Sequence, residues 1–302
     1  MGFPIARVLV LISLATGMVS DLAVGPYQGK ETGETALLRE LLGRFDRHDI
    51  LLADRYFCSY FMIALLQLQG IDLVTRQHPM RKTDFRRGRR LDRGDHLVEW
   101  TRPERPDWMD DQTYALMPES ITVREIQVQV APPGFRVSSL VVVTTLTDAE
   151  KYPKAAIAEL YQERWLVKLD IRTIKCTLGM DVLRGQSPQM VRREIWAHVL
   201  AYNLIRQAIL TAAMRGKDRS PREISFTGAL QKIAASWMTT ATCDGSKFMT
   251  LLVTHLEQLL AHRVGHRPNR VEPRAVKRRP KSQKFLKDPR DVARAKLLSG
   301  PS

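Results

Sequence analysis

The stretch from Asp49 to Thr75 limits the fold more than any other part of the chain. Asp49-Ile50-Leu51-Leu52-Ala53 reads as a short buried strand, and Asp54-Arg55-Tyr56 stands at its carboxyl end. Cys58 to Leu68 reads as a helix and Ile71 to Thr75 as another strand. Strand, helix and strand in that order predict a parallel crossover unit in an α/β sheet. Such sheets place their chemistry at the carboxyl ends of the strands, which makes Asp54 a candidate site residue.

On either side the texture differs. Residues 5–26 predict two strands joined by a tight turn at Thr16-Gly17, which divides RVLVLISLA from MVSDLAVG. Arg7 and the apolar run after it imitate a short signal peptide, but the central turn and the lack of an A-x-A site favour the hairpin. No run reaches the ~18 apolar residues of a membrane helix, so no membrane partner is expected. Glu34 to Phe45 has helical apolar spacing. From about 78 to 147 the sequence predicts strands at His96–Thr101, Ile121–Val130 and Val137–Thr145, set apart by turns such as Pro132-Pro133-Gly134. After Tyr152-Pro153 it turns helical, at 154–178, 188–214 and twice within 225–262.

Charge points to a partner. The net charge is +15 and the pI about 10.0, an excess that favours nucleic acid over an anionic membrane surface. Arg263 to Lys296 holds thirteen Lys/Arg against three acids, and Arg81 to Arg93 holds seven against two. One-sided basic fields of this kind suit phosphate neutralisation. Cys58, Cys176 and Cys243 have no metal or disulfide spacing, which predicts buried free thiols in a reducing, cytoplasmic setting. His262 and His266 have no further ligands near them in sequence, and Trp165 and Trp196 fall at apolar helical spacing that predicts core positions.

On the helix 154–178, Tyr161, Arg164, Lys168 and Lys175 are offset by 3, 7 and 14 residues. At about 100° per residue they fall within about 60° of one another, as one stripe. Asp170 points away from it. Spacing alone leaves an ordinary basic helix face open as a reading.

The stretch YQERWLVKLDIRTIKCTLGMDVLRGQSPQMVRREIWAHVLAYNLIR resembles the YREK signature region of IS-four family DDE transposases, in which Tyr, Arg, Glu and Lys follow at this spacing. Tyr161, Arg164 and Lys175 match; Lys168 stands where the family has its catalytic Glu. LLADRYFCSYF resembles the second catalytic block and places the second Asp at Asp54, and DLAVGPYQGKETGE and RPNRVEPRAVKRRPK are also similar to this family. The resemblance implies a ribonuclease H-like α/β core lacking its first strand, with a β-rich insertion and a helical C-terminal part. The chain starts at what reads as the second strand, so an N-terminal truncation that removes the first catalytic Asp is expected. Asp21 stands on the following strand and is a poor substitute.

The same resemblance implies roles. Asp54 and position 168 would be catalytic, with Asp54 a metal ligand, and Tyr161, Arg164 and Lys175 would contact DNA. Enzymes of this type use carboxylates to hold two Mg²⁺ ions for in-line displacement at phosphorus, and such ions require oxygen ligands. Lys168 supplies none. Two unit charges about 4 Å apart interact by about 4 kcal/mol at an effective dielectric of ~20, so a reversed sign beside a divalent ion weakens its binding by several kcal/mol. The expected organisation is 1–77, first part of the core; 78–147, β-rich insertion; 148–262, catalytic-helix region and C-terminal helices; and 263–302, a basic disordered tail. The expected function is DNA binding, cleavage and strand transfer at transposon ends, impaired in this copy, with homo-oligomers or mixed oligomers with an intact transposase. The alternatives are a non-catalytic nucleic-acid-binding remnant, an inhibitor of an intact transposase, and an exported or membrane-associated basic protein.

Overall fold

The computed structural model describes residues 5–129, 139–216, 219–265 and 288–299. Strands β1 (Ala6–Ile12) and β2 (Val19–Pro26) form the expected antiparallel hairpin, with Ala6 opposite Pro26 and Leu11 opposite Asp21. Gly17 closes the turn at φ +76, where a side chain would be strained and its Cβ would lie 2.9 Å from the Arg206 guanidinium. Helix α1 (Glu34–Leu41) follows, with Ala36, Leu37, Leu38 and Leu41 buried.

The crossover unit forms as its sequence predicts. β3 (Ile50–Ala53) lies parallel to β4 (Asp72–Arg76), and α2 (Tyr60–Leu68) joins them. Ser59 caps α2 by accepting a hydrogen bond from the Met62 amide, which satisfies one orphan donor of the first turn. The next strands extend this sheet: β5 (Arg89–Asp92), β6 (Asp95–Thr101), β7 (Ser120–Gln129) and β8 (Ser139–Thr144) give the order β3-β4-β8-β7-β6-β5. β8 runs antiparallel to β4. Helix α3 (Asp111–Leu116) is capped by Asp110, which accepts from the Thr113 amide. The turn Pro132-Pro133-Gly134 lies outside the described residues. Neither β5 nor α3 is predicted from the sequence. The arginines of β5 read only as charge, and α3 is too short for a periodic signal.

Two buried polar pairs clamp the antiparallel strands. The Asp95 carboxylate on β6 accepts from Arg124 Nε and Nη2 on β7 at 2.8 and 2.6 Å, and Arg124 Nη1 donates to the Tyr152 carbonyl. Glu125 accepts from Trp100 Nε1 and lies 3.2 Å from His96 Nε2. A bidentate guanidinium–carboxylate pair directs its bonds in a plane and fixes register as well as contact.

The helical half begins with α4 (Lys154–Arg172), which runs into a π turn at Thr173–Thr177, and continues with α5 (Pro188–Arg215), α6 (Phe226–Thr242) and α7 (Gly245–Ala261). One apolar cluster packs α1 and α2 on β3, β4 and β7; a second joins β1 and β2 to α5, α6 and α7; a third places α4 on the other face of the sheet. In the basic tail, His266 and the rest of 266–287 lie outside the described residues. Arg290–Leu298 forms helix α8, a correction to the expectation of a tail without regular structure. Its Asp291 favours a first helical turn. No helix among the described residues is long and apolar enough to cross a membrane.

Asp170 on α4 is buried and pairs with two arginines, Arg206 of α5 at 2.5 Å and Arg222 at 2.7 Å. Arg206 Nε donates to the Tyr202 hydroxyl, which donates to the carbonyl of Gly17. Arg222 also donates to the carbonyls of Ser13 and Leu14. One carboxylate thus ties α4, α5 and the hairpin turn together. Asp170→Ala should lower the unfolding free energy by about 3–5 kcal/mol, because it leaves buried guanidinium charge uncompensated; urea denaturation checks this, and a loss below about 1 kcal/mol would contradict it.

Candidate functional site

Asp54 caps a short 3-10 turn, Arg55–Phe57, directly after β3, with Oδ1 accepting from the Arg55 amide at 2.6 Å. Thr75 on β4 donates its hydroxyl to the Asp54 carbonyl at 3.0 Å, which pins the strand end. The carboxylate is half exposed, and Arg164 Nη1 approaches Oδ2 at 3.6 Å. That distance is an ion pair in a partly wet setting, so it is worth at most about 1 kcal/mol.

Arg164 and Lys168 reach Asp54's surroundings from α4. All three line one groove, together with Trp165 and Glu34. Lys168 Nζ sits 4.8 Å from the centre of the Trp165 ring, with no ion-pair partner among the described residues. Arg164 stacks toward Tyr161 at 5.4 Å, and its Nε is buried without a hydrogen bond. Tyr161 itself belongs to the core against β4, β7 and β8, its hydroxyl buried without a hydrogen-bond partner. Burial pushes the Tyr161 phenol up from its ordinary pKa, against the opposing pull of Arg164.

Lys175 does not join this group. It falls in the π turn, about 10 Å further along the helix axis than Lys168 at 1.5 Å rise per residue, and it lines a separate cavity with Ile5, Asp181 and Leu183. The stripe predicted from spacing is therefore split: Asp54, Arg164 and Lys168 share a groove, Tyr161 backs Arg164 from the core, and Lys175 stands apart. Asp21 also stays outside the groove and pairs with Arg44 at 3.0 Å. Glu34, in the first turn of α1, is the groove acid that was not singled out from the sequence, although it ends the family-like segment DLAVGPYQGKETGE. Two core expectations are corrected, since Trp165 and Trp196 are 49% and 50% exposed. Trp165 is drawn out to the groove wall, and Trp196 lies on the outer face of α5.

No cluster of three or more His, Cys, Asp or Glu suited to a metal occurs among the described residues. The second basic cluster lies elsewhere. Arg89 and Arg90 are exposed on β5, the far edge of the six-stranded sheet, about 24 Å from β3 at the usual strand spacing. Arg81 in that cluster stacks on Trp100 at 3.7 Å, and Arg86 pairs with Asp84.

Two outcomes follow from burial. Tyr161→Phe should leave stability unchanged or raise it by about 1 kcal/mol, since it removes a desolvated hydroxyl that has no partner, whereas Tyr161→Ala should cost about 3–5 kcal/mol; urea unfolding of both variants checks the contrast. Cys58 is buried with its thiol pushed up to about 11, whereas Cys176 is exposed, against the expectation that all three thiols are buried. Raised this far, Cys58 stays protonated at pH 8, so a thiol-specific reagent should label Cys176 in the native protein and Cys58 only after unfolding, read by mass spectrometry.

Comparison with known proteins bears on all of this. The transposase DDE domain family matches residues 2–204. The transposase InsG for insertion sequence element IS4, from Escherichia coli strain K12, is 27% identical over 287 residues, which is 92% of this chain and 61% of that protein. The chain thus spans about three fifths of that relative's length. The protein y4zB of Sinorhizobium fredii, which carries a provisional transposase name, is 39% identical over 66 residues, 22% of this chain and 18% of that protein. The IS-four resemblance and the ribonuclease H-like fold class expected from the sequence agree with these matches and with the mixed sheet. By the extent of that match, the chain belongs to the transposase DDE domain family.

Proposed function

We propose that this chain binds DNA as a transposase-family protein and, as it stands, supports little metal-dependent cleavage or strand transfer. The observation that carries this reading is the company Asp54 keeps. The family generally uses divalent metal, yet Asp54 shares its groove with Arg164 and Lys168. Magnesium needs several oxygen ligands in near-octahedral array. One half-exposed carboxylate facing two cations, with Glu34 elsewhere along the groove, does not fit such an ion.

The same cations suit a phosphate backbone. Arg164 offers a planar fork and Lys168 a point charge, both lining the groove. Arg89 and Arg90 add exposed charge at the other edge of the sheet. The same two charges also guard the edge strand β5 against pairing with another strand.

Binding of a labelled duplex, followed by fluorescence anisotropy, should weaken steeply with salt. Each phosphate contact adds about 0.9 to the slope of log K against log salt. Replacing Arg89 and Arg90 together by Ala should reduce that slope by about 1–2; an affinity independent of salt would sink the DNA reading. Robust Mg²⁺-dependent nicking of a duplex carrying transposon ends by the unaltered chain would overturn the impairment. Lys168→Glu places an oxygen ligand beside Asp54 and should tighten Mg²⁺ binding in calorimetry by at least about tenfold, the equivalent of 1.4 kcal/mol. No gain would mean that position 168 does not face the metal site.

A further inference from the structure

A cavity of about 320 Å³ in the helical half shares no lining residue with the Asp54 groove. Its walls include Asp170 of α4, Arg206 of α5, Arg222, the first residues of α6 and Arg263. Arg206 and Arg222 are the partners of Asp170, and their side chains are only 7% and 14% exposed. Two nearly buried guanidinium groups therefore stand against one buried carboxylate. Arg263 adds a third cation, which has no ion-pair partner among the described residues. Asp170 is the single acid in the lining, so the wall carries an excess of two positive charges. Buried charge of one sign in excess is costly until a counter-charge meets it.

The donors at this wall are only partly used. Arg206 gives Nε to the Tyr202 hydroxyl and Nη2 to Asp170, and its Nη1 makes no hydrogen bond among the described residues. The Tyr202 and Phe226 rings each lie 5.3 Å from this guanidinium and fix its orientation. At the start of α6, Ser225 accepts from the Gly228 amide through its hydroxyl and from the Ala229 amide through its carbonyl. The Phe226 and Thr227 amides are left as orphan donors of the first turn, at residues that line the cavity. Such a turn favours an anion. Arg263 is exposed, but its main chain is held in place. It forms a bridge with Ile224, the Ser225 amide donates to the His262 carbonyl at 2.7 Å, and the Val264 amide donates to the Glu223 carbonyl at 2.8 Å.

We propose that this cavity is a phosphate site, in which Arg206, Arg263 and the first turn of α6 hold one dianionic phosphate group. A phosphate of this kind carries close to two negative charges and three strong acceptor oxygens. It therefore matches both the excess charge of the wall and the three directions from which donors come. A carboxylate would offset only one of the two charges and present its two oxygens in a single plane. A free phosphate and the terminal phosphate of a nucleic-acid strand offer the same oxygens. The basic stretch that opens at Arg263 leaves from this cavity, so a filled site ties its first residue to α5 and α6.

The test titrates the full chain with inorganic phosphate in calorimetry, at constant ionic strength and without duplex DNA, so its outcome is separate from that of the DNA-binding reading. Saturable binding and a raised thermal midpoint are expected, and acetate at the same ionic strength should produce neither. Amide hydrogen exchange at Phe226 and Thr227 should slow on binding. Arg263→Gln should weaken phosphate binding at least about tenfold. The thermal midpoint of that variant without phosphate should stay unchanged, because Arg263 pairs with no carboxylate among the described residues. Arg263→Lys should restore part of the affinity, as a point charge without the fork. Displacement of phosphate by a short single strand with a 5′-phosphate, but not by the same strand with a 5′-hydroxyl, would assign the site to a strand end. Displacement by neither would assign it to free phosphate. Equal displacement by both strands would show general strand electrostatics and overturn the proposal. So would the absence of saturable binding, equal binding of acetate, or an affinity unchanged in Arg263→Gln.

Discussion

A single buried carboxylate holds the helical half to the hairpin. Asp170 lies in the interior of α4, and its charge is tolerable only because Arg206 and Arg222 meet both of its oxygens. Desolvating a carboxylate costs several kcal/mol, so the pairing must be close and complete. The two arginines then carry the constraint outward, Arg206 through Tyr202 to Gly17 and Arg222 to Ser13 and Leu14. Gly17 cannot carry a side chain there, both for its positive φ and for the guanidinium against it. The turn of the hairpin and the rotation of α4 are thereby set by one network.

That rotation decides what α4 shows to β3. With Asp170 turned to the arginines, Arg164 and Lys168 are aimed toward the groove beside Asp54, and Tyr161 is sunk into the sheet behind them. The electrostatic consequence is direct. The half-exposed Asp54 carboxylate has a guanidinium at 3.6 Å, and the Glu34 carboxylate and the Lys168 ammonium line the same groove. The ion pair itself is weak, since water screens both partners. Its meaning is positional rather than energetic.

Strands β1 and β3 line one cavity, with residues of helices α1 and α4 among its other walls. Elsewhere the sheet is finished in the ordinary way, with charged residues on β5 and buried ion pairs locking β6 to β7.

The sequence by itself determined much of the element order. The run ILLA before Asp54, the break at Thr16-Gly17 and the apolar spacing of Glu34 to Leu41 each placed an element, because hydrophobic period and turn chemistry act over a few residues. The position of Asp54 at a strand's carboxyl end was legible for the same reason. Tertiary structure alone decided the rest. Lys175, in a π turn further along the helix, lines a different cavity from Arg164 and Lys168. Glu34 and Asp54 met in one groove although they lie on separate elements, and Trp165 was turned outward by the helix rotation that Asp170 sets. Asp170 looked like a residue merely excluded from a stripe; its role required Arg206 and Arg222, which are distant in sequence and are brought to it only by folding. Local sequence fixes which elements form, whereas long-range charge pairing and packing fix how they are turned.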